Sequence, residues 1–83
     1  MSEISATFRS NYGESRHWTI WDQGRDPNAP PVIFDGYLAP NDVTAALPVY
    51  SGDGIYGQIK YQRSDGPLQA GVSVTDGAEI SMD

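Results

Sequence analysis

Apolar and polar residues alternate along much of this chain with a period of two. Ile4, Ala6 and Phe8 alternate with Ser5, Thr7 and Arg9. Trp18 and Ile20 alternate with His17, Thr19 and Trp21, and Val72 and Val74 with Ser73 and Thr75. This period marks a strand with one face buried. A shorter apolar run, Val32-Ile33-Phe34, follows Pro30-Pro31. No segment sustains an apolar repeat at helical spacing. The nine glycines and six prolines are spread along the chain, so few stretches could hold a helix interior, which rejects both. The pattern predicts an all-β protein.

The second half, Val43 to Met82, reads as four consecutive strands. A three-residue loop at Thr75-Asp76-Gly77, with Gly77 left-handed, sets Val74 against Ala78, Val72 against Ile80 and Ala70 against Met82. A two-residue turn at Asp65-Gly66 sets Gly57, Ile59 and Tyr61 against Val74, Val72 and Ala70. The three-residue alternative there sets Tyr61 against Gln69, which breaks the apolar match. A loop around Ser51-Gly52-Asp53 sets Val49 against Ile55 and Ala45 against Ile59. The inner face then reads Val43, Ala45, Leu47, Val49; Ile55, Gly57, Ile59, Tyr61; Leu68, Ala70, Val72, Val74; Ala78, Ile80, Met82. Pro48 cannot donate to a ladder, so its strand belongs at an edge with Pro48 facing outward.

A sheet with one apolar face must bury it against a second layer. The expected fold is a single domain over residues 1–83. It is a small two-layer antiparallel β-sandwich, or a flattened barrel, with a C-terminal four-stranded meander. The two or three strands of the first half supply the other sheet. Residues 22–31, DQGRDPNAPP, read as an exposed loop.

Charge narrows the partners. Eleven acidic residues against five basic ones give a net charge of -6. Nucleic-acid backbones and anionic membrane surfaces call for a basic face, so both are disfavoured. No apolar run approaches the ~20 residues of a membrane span. The first residues, Met1 to Ser5, show no signal-peptide pattern, which points to a cytoplasmic protein. There is no cysteine, hence no disulfide framework and no thiolate metal site.

The outer face of the expected meander carries Tyr50, Tyr56, Gln58, Lys60, Gln62, Gln69, Ser73, Thr75 and Glu79, with a shallow groove at Gly71 opposite Lys60. Aromatic rings stack on the C–H face of a pyranose, and amides pair with its hydroxyls. The plainer reading is the wet face of an antiparallel sheet. Trp18 and Trp21, three apart in a strand, point to opposite faces. Trp18 belongs inside with Ile20, and Trp21 outside. There it forms a platform with Tyr37, unless the 22–31 loop folds back over it.

Asp22, Asp26, Asp35, Asp42 and Asp53 lie near turns and could offer oxygens to calcium, although Asp before Gly or Pro is ordinary turn chemistry. Asn11-Tyr12-Gly13-Glu14-Ser15 and Asn41-Asp42-Val43-Thr44 resemble the two parts of a βγ-crystallin calcium motif. The spacing from Phe8 is too short, and Ala45 and Ala46 stand where hydroxyls are needed, so the family is not carried over. Catalysis finds little footing: His17 is the single histidine, no nucleophile-elbow pattern occurs, and a domain this small rarely encloses an active-site pocket.

The expectation is therefore a non-catalytic binding module without cofactor or metal. Lectin-like glycan binding comes first, through Trp21, Tyr37, Tyr50, Tyr56, Gln58, Lys60 and Gln69. An acidic protein-interaction module, an inhibitor or structural subunit acting through an edge strand or the Trp21 surface, is the alternative. The last strand, Ala78 to Met82, carries little edge protection, which predicts a homo-oligomer through that edge.

Overall fold

The alternating segments do form strands. A computed structural model describes residues 3–52 and 54–82. Seven strands occur, β1 (Glu3–Ser10), β2 (Arg16–Trp21), β3 (Val32–Leu38), β4 (Leu47–Tyr50), β5 (Tyr56–Arg63), β6 (Leu68–Thr75) and β7 (Ala78–Met82). They build two sheets, ordered β4-β1-β7 and β3-β2-β5-β6. The all-β, two-layer sandwich reading holds. No helix among the described residues is long and apolar enough to cross a membrane.

The four-stranded meander does not form. Only β5 and β6 of its members pair with each other. β2 takes the side of β5 where β4 was expected. β4 pairs antiparallel with β1, and β7 pairs parallel with β1. The expected partners Val74 and Ala78 therefore lie in different sheets, and Ile55, expected opposite Val49, precedes β5 outside both. Alternation sets which side chains face the core. A strand beside its neighbour and a strand stacked over it satisfy that demand equally.

The turns show how the chain changes layer. Gly77 has φ +78°, the left-handed state expected for it. Yet the turn joins β1 rather than closing a hairpin. Asp76 Oδ1 accepts from the Ser5 N–H at 2.9 Å, and the Gly77 N–H donates to the Ser5 carbonyl at 2.7 Å. The β4–β5 loop crosses between sheets too. Of its expected turn residues, Asp53 lies outside the described ones. Ile55 is 72% exposed, against the inward position expected for it.

At the β5–β6 hairpin both registers occur. Gly57 faces Val74 and Ile59 faces Val72, as the two-residue turn requires. Nearer the turn, Tyr61 faces Gln69 and Gln62 faces Leu68. A β-bulge reconciles them: Ala70 and Gly71 together oppose Lys60. Gly71 adopts φ +68°, a left-handed state that suits the extra residue of a bulge.

The core lies between the layers. Ala6, Phe8, Trp18, Ile20, Leu38, Val49, Ile59, Tyr61, Val74 and Met82 are its buried apolar members. Trp18 is inside with Ile20, and Pro48 is exposed on an edge strand, both as expected. The expected inner face fails at its margins, where Val43, Ala45, Leu68 and Ala70 are exposed. At Gly57 the layers approach closely. A Cβ there would meet Val49 Cγ1 at 2.5 Å.

Candidate functional site

The outer face of the β3-β2-β5-β6 sheet gathers most of the candidate residues. Its membership follows from register, since cross-strand partners share a face. Tyr37 faces His17, Asp35 faces Thr19, and Val32 and Lys60 flank Trp21. Gln58 faces Ser73 and Tyr56 faces Thr75. The inward partners on the same strands, Trp18, Ile20, Gly57 and Ile59, are buried.

Three rings on this face lie along one diagonal. Trp21 is one strand across and four residues along from Tyr37. Tyr56 is the same step from Trp21. At about 3.3 Å per residue and 4.8 Å per strand, successive positions are about 14 Å apart. Tyr37 is 74% and Tyr56 58% exposed. Trp21 is half-buried. The Lys60 ammonium lies over it, 5.2 Å from the centroid of the indole.

Two expected members belong elsewhere. Tyr50 lies on β4, in the other sheet, where Arg25 sits over its ring at 5.4 Å. Gln69, opposite Tyr61, is turned by the bulge to the inward side at the exposed end of β6. The groove expected at Gly71 is crossed by a side chain. Gln23 Oε1 accepts from the Gly71 N–H at 2.8 Å. Sequence reasoning left Gln23 unplaced. It lies in the turn that follows β2, within the segment read as an exposed loop.

The acidic residues serve mainly as structural acceptors. Asp26 Oδ1 accepts from the N–H groups of Asn28 and Ala29, and Asp42 Oδ2 from that of Ala39. Asp35 pairs with His17, whose ring meets Tyr37 edge-on with centroids 5.3 Å apart. Asp22 is fully buried. Its Oδ2 accepts from the Tyr50 N–H and from Arg25 Nε, both at 3.0 Å, and Arg25 also reaches Glu3. This latch pins the 22–31 loop to β1 and β4. Among the described residues no group of three His, Cys, Asp or Glu is placed to hold a metal ion.

A second ionic cluster holds the far end of the sheet. Asp65 bridges Arg63 and Arg16, and both guanidiniums lie over the Tyr12 ring, at 3.9 and 5.2 Å. Hydrogen bonds from Arg63 and then Arg16 hold the Asp65 carboxyl below its ordinary range. Asp65, Glu14 and the ring clamp the β5–β6 turn to the start of β2.

One depression of about 70 Å³ is lined by Ser5, Ala6, Thr7, Ala46, Gly77 and Ala78, on the three-stranded side. That is well below the ~300 Å³ at which substrate pockets begin. His17, its carboxylate partner notwithstanding, stands on an open sheet face.

No protein-family model, no curated protein and no solved structure matches the chain. What fold and surface define is a small β-sandwich with an aromatic and amide-bearing sheet face.

Proposed function

We propose that this protein is a non-catalytic, lectin-like module that binds an extended glycan across the outer face of the four-stranded sheet. The supporting observation is the diagonal of Tyr37, Trp21 and Tyr56, with Gln58, Gln62, Thr19 and Ser73 around it. Rings offer stacking surfaces, and the amides and hydroxyls offer directional hydrogen bonds between them. The face suits a chain ligand because it is long and open rather than concave. The test is a glycan array probed with labelled protein, with Tyr37→Ala and Tyr56→Ala as variants. Both side chains are exposed, so the fold should survive their removal. Selective binding weakened in both variants supports the reading. Binding unchanged in both refutes the diagonal, and no binding by folded protein refutes the glycan.

A second reading, a protein-interaction module acting through an edge, rests on β7. This strand ends its sheet with Glu79 as its one charge among the described residues, without proline or bulge to block pairing. Self-association through that edge would appear as concentration-dependent sedimentation. A monomer at every concentration counts against it.

A further inference from the structure

Lys60 differs from every other cation in its surroundings. Arg9 pairs with Glu79, Arg16 with Glu14 and Asp65, Arg25 with Glu3 and Asp22, and Arg63 with Asp65. Lys60 has no carboxylate partner among the described residues. In a chain of net charge -6, acidic side chains are plentiful, yet this ammonium rests on the Trp21 ring. It does so at the midpoint of the aromatic diagonal, between Gln58 and Gln62 on the same face of β5.

That position creates a competition. A pyranose laid on the covered face of Trp21 must first displace the ammonium. A neutral sugar then forfeits the cation–π contact and offers the ammonium only neutral hydroxyl acceptors in return, which are weaker partners than a carboxylate. A sugar bearing a carboxylate gives it an ion-pair partner at the edge of the ring. We infer that Lys60 selects for a uronic acid, with the sugar ring on Trp21 and its carboxylate on the displaced ammonium. The inference rests on the glycan reading and names the ligand class for its central subsite.

The test is calorimetric titration with an oligogalacturonate hexamer and with its carboxyl-reduced, neutral counterpart, using wild type and Lys60→Met. Methionine keeps an apolar stem and removes the charge. The acidic oligomer should bind wild type about two- to five-fold tighter at low salt, the range of an exposed ion pair. The preference should fade as salt rises toward about 0.5 M and vanish in Lys60→Met. Lys60→Met should also bind the neutral oligomer more tightly than wild type, because no cation–π contact is then lost. Equal binding of the two oligomers, or tighter neutral binding, overturns the selection but leaves the glycan reading standing. If neither hexamer binds, the inference fails, and the array decides whether the glycan reading falls with it.

Discussion

Gly57→Ala tests, by the sign of its effect, whether β4 is stacked over β5 or paired beside it. In a meander, Gly57 would sit in the plane of the sheet beside β4. Alanine would then be tolerated, or would stabilise by about 0.4–1 kcal/mol through the unfolded state. In the sandwich, β4 is stacked over β5. The new methyl would lie 2.5 Å from Val49 Cγ1 and 3.0 Å from the Tyr50 carbonyl oxygen. Val49 is fully buried and the second obstacle is backbone, so neither can simply swing away. Overpacking of this kind costs about 1–3 kcal/mol. For a domain of this size, 2 kcal/mol corresponds to a Tm lower by roughly 8–16 °C. Urea and thermal melts followed by circular dichroism give the number. Adding Val49→Ala removes the opposing methyl, so the double variant should be more stable than the sum of the single losses predicts, by about 1 kcal/mol or more. Unchanged or raised stability in Gly57→Ala, with no coupling to Val49, would refute the stacking of β4 on β5.

Gly71→Ala should lose about 1 kcal/mol in the same melts, from its φ of +68° alone, because no atom lies within 4 Å of the new Cβ. Gly71→Asn should lose less, since asparagine tolerates that conformation. Asp22→Ala leaves the part-buried Tyr50 N–H without its acceptor and unties Arg25 from the loop, so a loss of about 1–3 kcal/mol is expected in urea denaturation. Asp65 titrates below its ordinary value of 3.8 in the folded protein. Its contribution is complete above that value and disappears as pH falls through the lower folded one. Acid unfolding curves of Asp65→Asn should therefore lack this part of the low-pH slope, while the slope near neutral pH stays as in wild type.

The face each residue takes was largely legible. Ile4, Ala6 and Phe8, Trp18 and Ile20, and Ile59 and Val74 all turn inward as their alternation requires. The pairing of strands was not legible, and the β6–β7 turn shows why. Thr75-Asp76-Gly77 has the composition of a hairpin loop, and Gly77 takes the left-handed state such a loop needs. Its donor and acceptor groups are used by Ser5, seventy-odd residues upstream, which no local pattern can reveal. The candidate face divides in the same way. Tyr56, Gln58, Lys60, Trp21 and Tyr37 come together because their faces were read correctly. Tyr50 was lost with the misplaced β4, and Gln69 with a bulge whose one sign was Gly71. The ammonium over Trp21 belongs to Lys60, a neighbour across strands that became visible only once β2 was paired with β5.

The central strand of the three-stranded sheet is the first to be made, and one of its two neighbours is the last. β1 waits some forty residues for β4 and some seventy for β7. The other sheet needs nothing beyond Thr75. Closing such wide loops is slow relative to local pairing. On a ribosome, β4 is available to β1 before the other sheet can be completed at Thr75, but the opposite side of β1 stays open until Ala78–Met82 emerge. Ile80 and Met82 then pair beside Phe8 and Ser10 in the same sheet. Among the described strands, the five-residue β7 is the last to join and bolts the three-stranded sheet.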